Sequence, residues 1–578
     1  MTTLPLEPEP APIAPPSAHR RVVAAFERLA QVDRPELWIS LRTVEEVLVD
    51  AKAVDERVRA GEDLPLAGTV LAVTDLIDVA GLPTTAGCPD FSRVPVTSAT
   101  AVARLTGAGA VVLGKTNLDQ FGAGLSGVCS PYGAVASAGD PDKVAGGSSS
   151  GSAVSVALGI ADLALGTEAA GLGPAALNAV LGLKPTLGLV PKTGVLPASP
   201  SFDCVSVFAS RLELGRRALA AMTGPDELDP SARPWPPDAR LGVGDRPRLA
   251  IPGDAALANL TAPAKQAFQE VVASLRAAGA VTAPIDLGPF FAAGQLLYGS
   301  ALVAERYASA GEFLAGAPDG ADPTVSGLIE AAGTHLAHEL IEAQARMRQL
   351  RAAARDALSG FDALVLPTVP DHPDLSEALA DPIGVAARLA TYTAFVNTLD
   401  LAAVTVPVRP GDARPYGVTI ATRAFEDQVA LDLAGLLMGE PTKPYPPDGV
   451  DLVVFGAHLR GQPLHGLLHG ARFTGPARTA ERYRMVLLDT EPAQPGVVAG
   501  DTAVDGERWR LSPAAFGRFA ATLAEPFVLG PVALEDGSAP LGLLCRPDAA
   551  AGAPDLGRYE SWRGYLRFLS TAGPRSRG

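Results

Sequence analysis

The chain has 578 residues, of which 47% are hydrophobic and 19% charged, and its formal net charge is -16. That apolar share excludes a disordered chain, and at ~100–200 residues per domain the length predicts more than one domain. The acidic balance argues against nucleic acid as a partner, because it repels phosphate backbones.

Residues 1–20 place prolines and acids where a signal peptide would have a basic start and an apolar run, so they read as a flexible tail. Residues 21–60 are helix-like with a break near Pro35. A strand follows over 68–73, then a helix over 98–111 and a short strand over 110–113. Such alternation predicts an α/β core around a sheet. Residues 120–152 are dominated by Gly, Ser, Ala and Pro, the composition of loops that approach a ligand closely. The apolar run 152–166 is too short to span a membrane, which takes ~20 residues, and reads as a buried helix. Helices are expected over 325–359, 391–401 and 424–438, with a buried strand over 363–366. The segment EPTKPYPPDG at 440–449 contains four prolines. It predicts a linker at 441–449, with a boundary near 446 between a domain over 21–440 and a smaller one over 450–578.

Four cysteines, Cys88, Cys129, Cys204 and Cys545, make no CxxC or Cys/His metal spacing. The expectation is reduced, buried thiols in a cytoplasmic protein, with no metal and no cofactor.

One run carries a chemical signal. GGSSSGS at 146–152 can direct hydroxyls and backbone N–H groups into a pocket, and it stands in a specific order of motifs. GKTNLDQF at 114–121 and SPYG at 130–133 precede it; LGT at 165–167 and GLKPT at 182–186 follow. This order resembles the amidase-signature family. The stretches DVAGLPTTAGCP at 78–89, SFDCVSVFA at 201–209, LLYGSALVAERY at 296–307 and VVFGAHLRGQPLHGLLHGARF at 453–473 resemble its allophanate hydrolase branch. The resemblance implies an α/β amidase-signature fold, a mixed sheet covered by helices. It also implies a small C-terminal α+β domain, similar as well to γ-glutamylcyclotransferase-like folds. The implied chemistry is ammonia release from allophanate in urea catabolism, followed by a decarboxylation assigned to the C-terminal domain.

The same resemblance exposes two departures. The family uses a Ser–cis-Ser–Lys triad, because a hydroxyl is a poor nucleophile without a base. Ser148 matches the cis serine. Thr74 stands at the lysine position in LAVTDLIDVAG, and Leu172 stands at the nucleophile position in GTEAAGLGPAALN. Two residues of the family pattern are also missing between Gly173 and Pro174. No serine lies between Ser155 and Ser199, and no lysine between Lys52 and Lys115, so no local slip restores the triad. The apolar branch of Leu172 is expected to fill the space of a reacting carbonyl.

Other family positions are retained. Tyr298 and Arg306, eight apart, match a pair expected on one helix face, where a guanidinium can grip a carboxylate and a phenol adds a hydrogen bond. Gly124, Asn117 and Asp119 match positions near the pocket, the last as a hydrogen-bond acceptor rather than an acid. In the C-terminal domain, His458 matches a histidine implicated in proton transfer. Three readings follow. One is an inactive amidase half that still binds a small carboxylate or ureido ligand; another is a working allophanate hydrolase; the third is a decarboxylase acting through the C-terminal domain alone. Expected partners exclude nucleic acid and membrane, and leave open a homodimer or an active amidase paralogue.

Overall fold

The structure is a computed structural model, and it describes residues 17–168, 172–408, 416–445 and 448–571. Contacts divide the chain into two units, Met1–Pro234 with Arg248–Glu440, and Trp235–Pro247 with Pro441–Gly578.

Among the described residues the first unit is built on an eleven-stranded mixed sheet. Its strands are β1 (Trp38–Leu41), β2 (Thr69–Thr74), β3 (Ala110–Thr116), β4 (Leu163–Glu168), β5 (Leu181–Lys184), β6 (Cys204–Ala209), β7 (Arg248–Pro252), β8 (Val281–Ile285), β9 (Ala363–Pro367), β10 (Leu401–Val408) and β11 (Tyr416–Arg423). They lie in the order β1-β3-β2-β4-β6-β5-β10-β11-β9-β7-β8. β2 runs parallel to β3 and β4, and β7 parallel to β8 and β9, whereas β4 and β6 are antiparallel. Every residue of β2 and β4 is buried, as the near-continuous apolar runs of strands covered on both faces require.

Several elements differ from the sequence reading. The helix Ala18–Val32 starts inside the expected tail. Asp55, on the helix Val44–Arg59, accepts hydrogen bonds from Ser17 Oγ and from the Ala18 N–H, each at 2.7 Å, and this ties the first turn down. Residues 1–16 lie outside the described residues. The helix-like stretch 21–60 contains β1, because Pro35 ends helical continuity and Trp38–Leu41 pairs antiparallel with β3. The helix over 325–359 is two, Pro323–Ala332 and Ala337–Ala357, parted at Gly333. Within 391–401 only Phe395–Thr398 is α-helical, and Leu401 already opens β10, whose run LAAVTVPV is buried strand.

Among the described residues the second unit has seven strands, five in one sheet and two in a ribbon. Its strands are β12 (Val450–Val454), β13 (Arg472–Arg478), β14 (Tyr483–Leu488), β15 (Gln494–Ala499), β16 (Asp505–Leu511), β17 (Phe527–Pro531) and β18 (Leu541–Cys545). The sheet order is β13-β16-β12-β18-β17, and β14 pairs with β15 in a separate ribbon. The core gathers Leu452, Phe455, Met485, Trp509 and Phe519. This unit also claims Trp235–Pro247, which the sequence places in the larger domain. The Leu241 N–H donates to Gly470 O and the Ala514 N–H to Pro237 O, both at 2.9 Å, and Trp235 meets Tyr445 edge-on at 5.0 Å. The expected boundary near 446 falls on Pro446 and Pro447, outside the described residues.

Candidate active site

The Gly/Ser run forms a tight turn against the loop that follows β3. A Cβ on Gly147 would strike the Asp119 carboxylate, and one on Gly151 would strike the Leu37 carbonyl. Glycine is therefore needed at both for close backbone approach. The turn carries the Gly147–Ser148 peptide in cis and leads into the helix Ser150–Ala157. Asp119 holds the neighbouring loop by accepting the Gly127 and Cys129 N–H groups at 3.0 and 2.9 Å, and burial pushes its carboxyl up to about 6. Asn117 is equally committed: its amide donates to Glu36 O and Gly133 O, and its carbonyl accepts from Leu118 N and Ser130 Oγ. Both residues hold the loop in place.

Ser148 opens onto a cavity of about 800 Å³, together with Gly124, Thr167, Glu168, Asp203, Tyr298 and Arg306. Tyr298 and Arg306 do not share one helix. The helix Gly288–Gly299 ends beside Tyr298, Ser300 turns extended, and Arg306 sits in the next helix, Ala304–Leu314. The break is local chemistry: Ser300 Oγ donates back to Leu296 O at 2.6 Å and accepts from Leu302 N at 3.3 Å, a side-chain alternative to helical pairing. The turn still brings the pair together, with the guanidinium carbon 4.9 Å from the Tyr298 ring centroid. Arg306 is 8% exposed, and its Nε is buried without a hydrogen-bond partner. Burial pushes the Tyr298 phenol up to about 12, with Arg306 pulling the other way.

Sequence reasoning passed over Glu168 and Asp203, although Asp203 lies inside the motif SFDCVSVFA, and it set Thr167 aside as a nucleophile. Asp203 accepts the Ala198 and Ser199 N–H groups at 2.6 and 2.7 Å, and burial pushes it up to about 6 against the pull of Lys192 and Arg306.

Neither departure from the triad lines the cavity. Leu172 is 1% exposed and belongs to a core cluster with Val154, Ala175, Val180 and Phe208. It packs over Gly182 of β5, where an added Cβ would meet the leucine at 3.2 Å. It therefore does not fill the space of a reacting carbonyl; the core has absorbed it. Thr74 ends β2 fully buried, and its hydroxyl has no partner. Nearby Lys115 is also fully buried, but its ammonium is spent on Asp75 at 2.8 Å and Thr84 Oγ1 at 3.0 Å. Burial pushes Lys115 down and Asp75 opposes it.

In the second unit, His458 is 3% exposed and lies edge-on to Phe519 at 5.3 Å. Burial, with His465 adding to it, pushes its imidazole down to about 4, so it is neutral at pH 7. His465 Nδ1 lies 3.2 Å from the His458 carbonyl. Among the described residues no group of three His, Cys, Asp or Glu side chains could hold a metal, and no helix is long and apolar enough to cross a membrane. The four cysteines are free and buried.

The mixed sheet, the Gly/Ser turn and the pocket above it are those of an amidase, and residues 21–431 match the Amidase family. The chain belongs to that family. Residues 450–567 match the allophanate hydrolase C-terminal domain. The chain is similar along nearly its whole length to the allophanate hydrolase of Kluyveromyces lactis, at 33% identity and a TM-score of 0.85, covering 96% of this chain and 98% of that one. Urea amidolyase of Lachancea kluyveri is 35% identical over 584 residues, 93% of this chain and 32% of that protein. The chain thus spans about a third of the length of the urea amidolyases it matches. The peptide amidase of Stenotrophomonas maltophilia is similar over the first unit, at 27% identity and a TM-score of 0.61, covering 75% of this chain and 95% of that one.

Proposed function

We propose that this chain is a non-hydrolytic member of the allophanate hydrolase branch, whose amidase unit binds a small carboxylate or ureido acid of urea and allophanate breakdown without cutting its amide. The observation that carries the binding half is Arg306. A guanidinium that is buried, stacked on a phenol and not bonded through its Nε carries a desolvation cost of several kcal/mol. A bound carboxylate offsets that cost through charge-assisted hydrogen bonds.

The non-hydrolytic half rests on Thr74 and Leu172. Threonine takes up no proton at neutral pH, and leucine offers no nucleophile. Loss of such a pair typically costs ~10⁴–10⁶ in kcat, or roughly 6–8 kcal/mol of barrier. The core packing of Leu172 strengthens this reading, since the side chain now contributes to folding. Lys115 offers no rescue, being bonded to Asp75 and Thr84.

The burial of His458, edge-on to Phe519, favours a structural role for it over a C-terminal decarboxylase. The test is to incubate the full chain with allophanate and with malonate. The reading expects no ammonia above background and a melting temperature that rises with ligand concentration. Turnover, or no shift at tens of millimolar malonate, contradicts the corresponding half.

A further inference from the structure

We infer that the cavity of the amidase unit, besides a small carboxylate, takes and holds more tightly a monocarboxylate with an aliphatic tail, held by its head at Arg306 and by its chain between two helices. This rests on the carboxylate-binding reading above and names the ligand class of that site.

The first argument is volume. Even at the roughly 30 Å³ that a water takes in the liquid, the non-hydrogen atoms of allophanate would fill about 200 Å³. The cavity measures about 800 Å³, within the range of pockets that enclose much larger ligands.

The second argument is how polarity is distributed around the walls. The polar groups around Arg306 come from the Gly/Ser turn, the end of β4, the loop carrying Asp203 and the Tyr298–Arg306 turn, and Asn259, Gln295, Thr324, His335 and Thr391 add others around the wall. The opposite character comes from two helices. Pro323–Ala332 contributes Val325, Leu328 and Ala332, and Pro382–Leu389 contributes Ile383, Ala386 and Ala387. The spacings i, i+3, i+7 and i, i+3, i+4 each define one helical face, so both helices turn an apolar stripe to the cavity. Ile383 remains 52% exposed while lining it. An apolar surface of this kind inside a cavity is covered favourably by methylenes and gains nothing from a ureido group.

A bare dicarboxylate would also bring a second charge toward the apolar helices, and among the described residues no lysine or arginine besides Arg306 lines the cavity to meet it. A monocarboxylate puts its single charge at Arg306 and its tail where the alanines leave room.

The experiment is a calorimetric titration of the full chain with malonate, acetate, butanoate, hexanoate and octanoate. Affinity is expected to rise by about twofold to fourfold per added methylene along the monocarboxylates, with octanoate tighter than malonate. Ile383→Asn, a neutral change at an exposed position, should flatten the chain-length dependence, weakening octanoate far more than acetate or malonate. Arg306→Ala should weaken every member. If malonate binds and octanoate binds no tighter than acetate, the tail inference is overturned while the carboxylate reading stands. If neither binds, both fall. A chain-length gain that survives Arg306→Ala at full strength also overturns it, because adsorption to apolar surface would then explain the series.

Discussion

Ser148 and Leu172 stand where the family resemblance expects two members of one triad, and the fold places them in opposite ways. Ser148, on a turn held by the Asp119 anchor, faces a cavity together with the Arg306–Tyr298 pair. At Leu172 and Thr74 the side chains have withdrawn into the interior, one well packed and one unpaired. On the proposed reading, binding and chemistry are separable here: the groups proposed to hold a ligand line the cavity, while Leu172 and Thr74 are buried away from it.

The largest effect should come from attempting to reverse that burial. Leu172→Ser removes an apolar side chain from a closed cluster and buries a hydroxyl, which should cost about 2–5 kcal/mol of stability in chemical denaturation. Combined with Thr74→Lys it should still restore no hydrolysis. A variant of undiminished stability would show that Leu172 is not core material, and the comparison would lose one side.

On the cavity side, Asp203 supplies a pH signature. A carboxyl near 3.9 in the unfolded chain is pushed up to about 6 in the fold, chiefly by burial. The folded state thus holds the proton more tightly. Its contribution is full below about pH 4 and is lost as pH rises through about 6, on the order of 2–3 kcal/mol. Asp203→Asn keeps an acceptor for the Ala198 and Ser199 N–H groups, so subtracting its stability profile from that of the parent isolates the term. A difference that is flat between pH 4 and 7 would contradict it.

Arg306→Ala should remove about 1.5–3 kcal/mol of carboxylate binding, roughly tenfold to a hundredfold in Kd, whereas Ser148→Ala should weaken it less. Equal losses at both positions would move the anion site toward the Gly/Ser turn. The smallest effect is expected at Thr74. Its hydroxyl is buried without a partner, so the near-isosteric Thr74→Val should raise stability by about 1 kcal/mol, read as a higher denaturation midpoint. A loss instead would mean that the hydroxyl has a bonded role.

Much of this was legible in the sequence because it is written in motifs whose spacing fixes backbone. GGSSSGS, GKTN and GLKPT announced the turn and the sheet around it, and the apolar runs of β2, β3 and β9 announced buried strands. What was not legible depends on tertiary direction. Nothing in GTEAAGLGPAALN says which way Leu172 points; that is set by Gly182 on β5 leaving room for it. The eight-residue spacing of Tyr298 and Arg306 suggested one helix. Ser300 broke it and still delivered the pair, because the turn at Ala301–Val303 brings the next helix back over the phenol. Trp235–Pro247 fell inside the 21–440 bounds expected for the larger domain, and its partners Gly470 and Ala514 lie more than two hundred residues away along the chain, beyond any local signal.

The most direct test of the central claim is ammonia release by the purified full chain under saturating allophanate. Ammonia should stay at the uncatalysed background. An ordinary enzymatic rate, with kcat of about 1 s⁻¹ or more, would contradict the claim, and would require a nucleophile and base at positions other than 172 and 74.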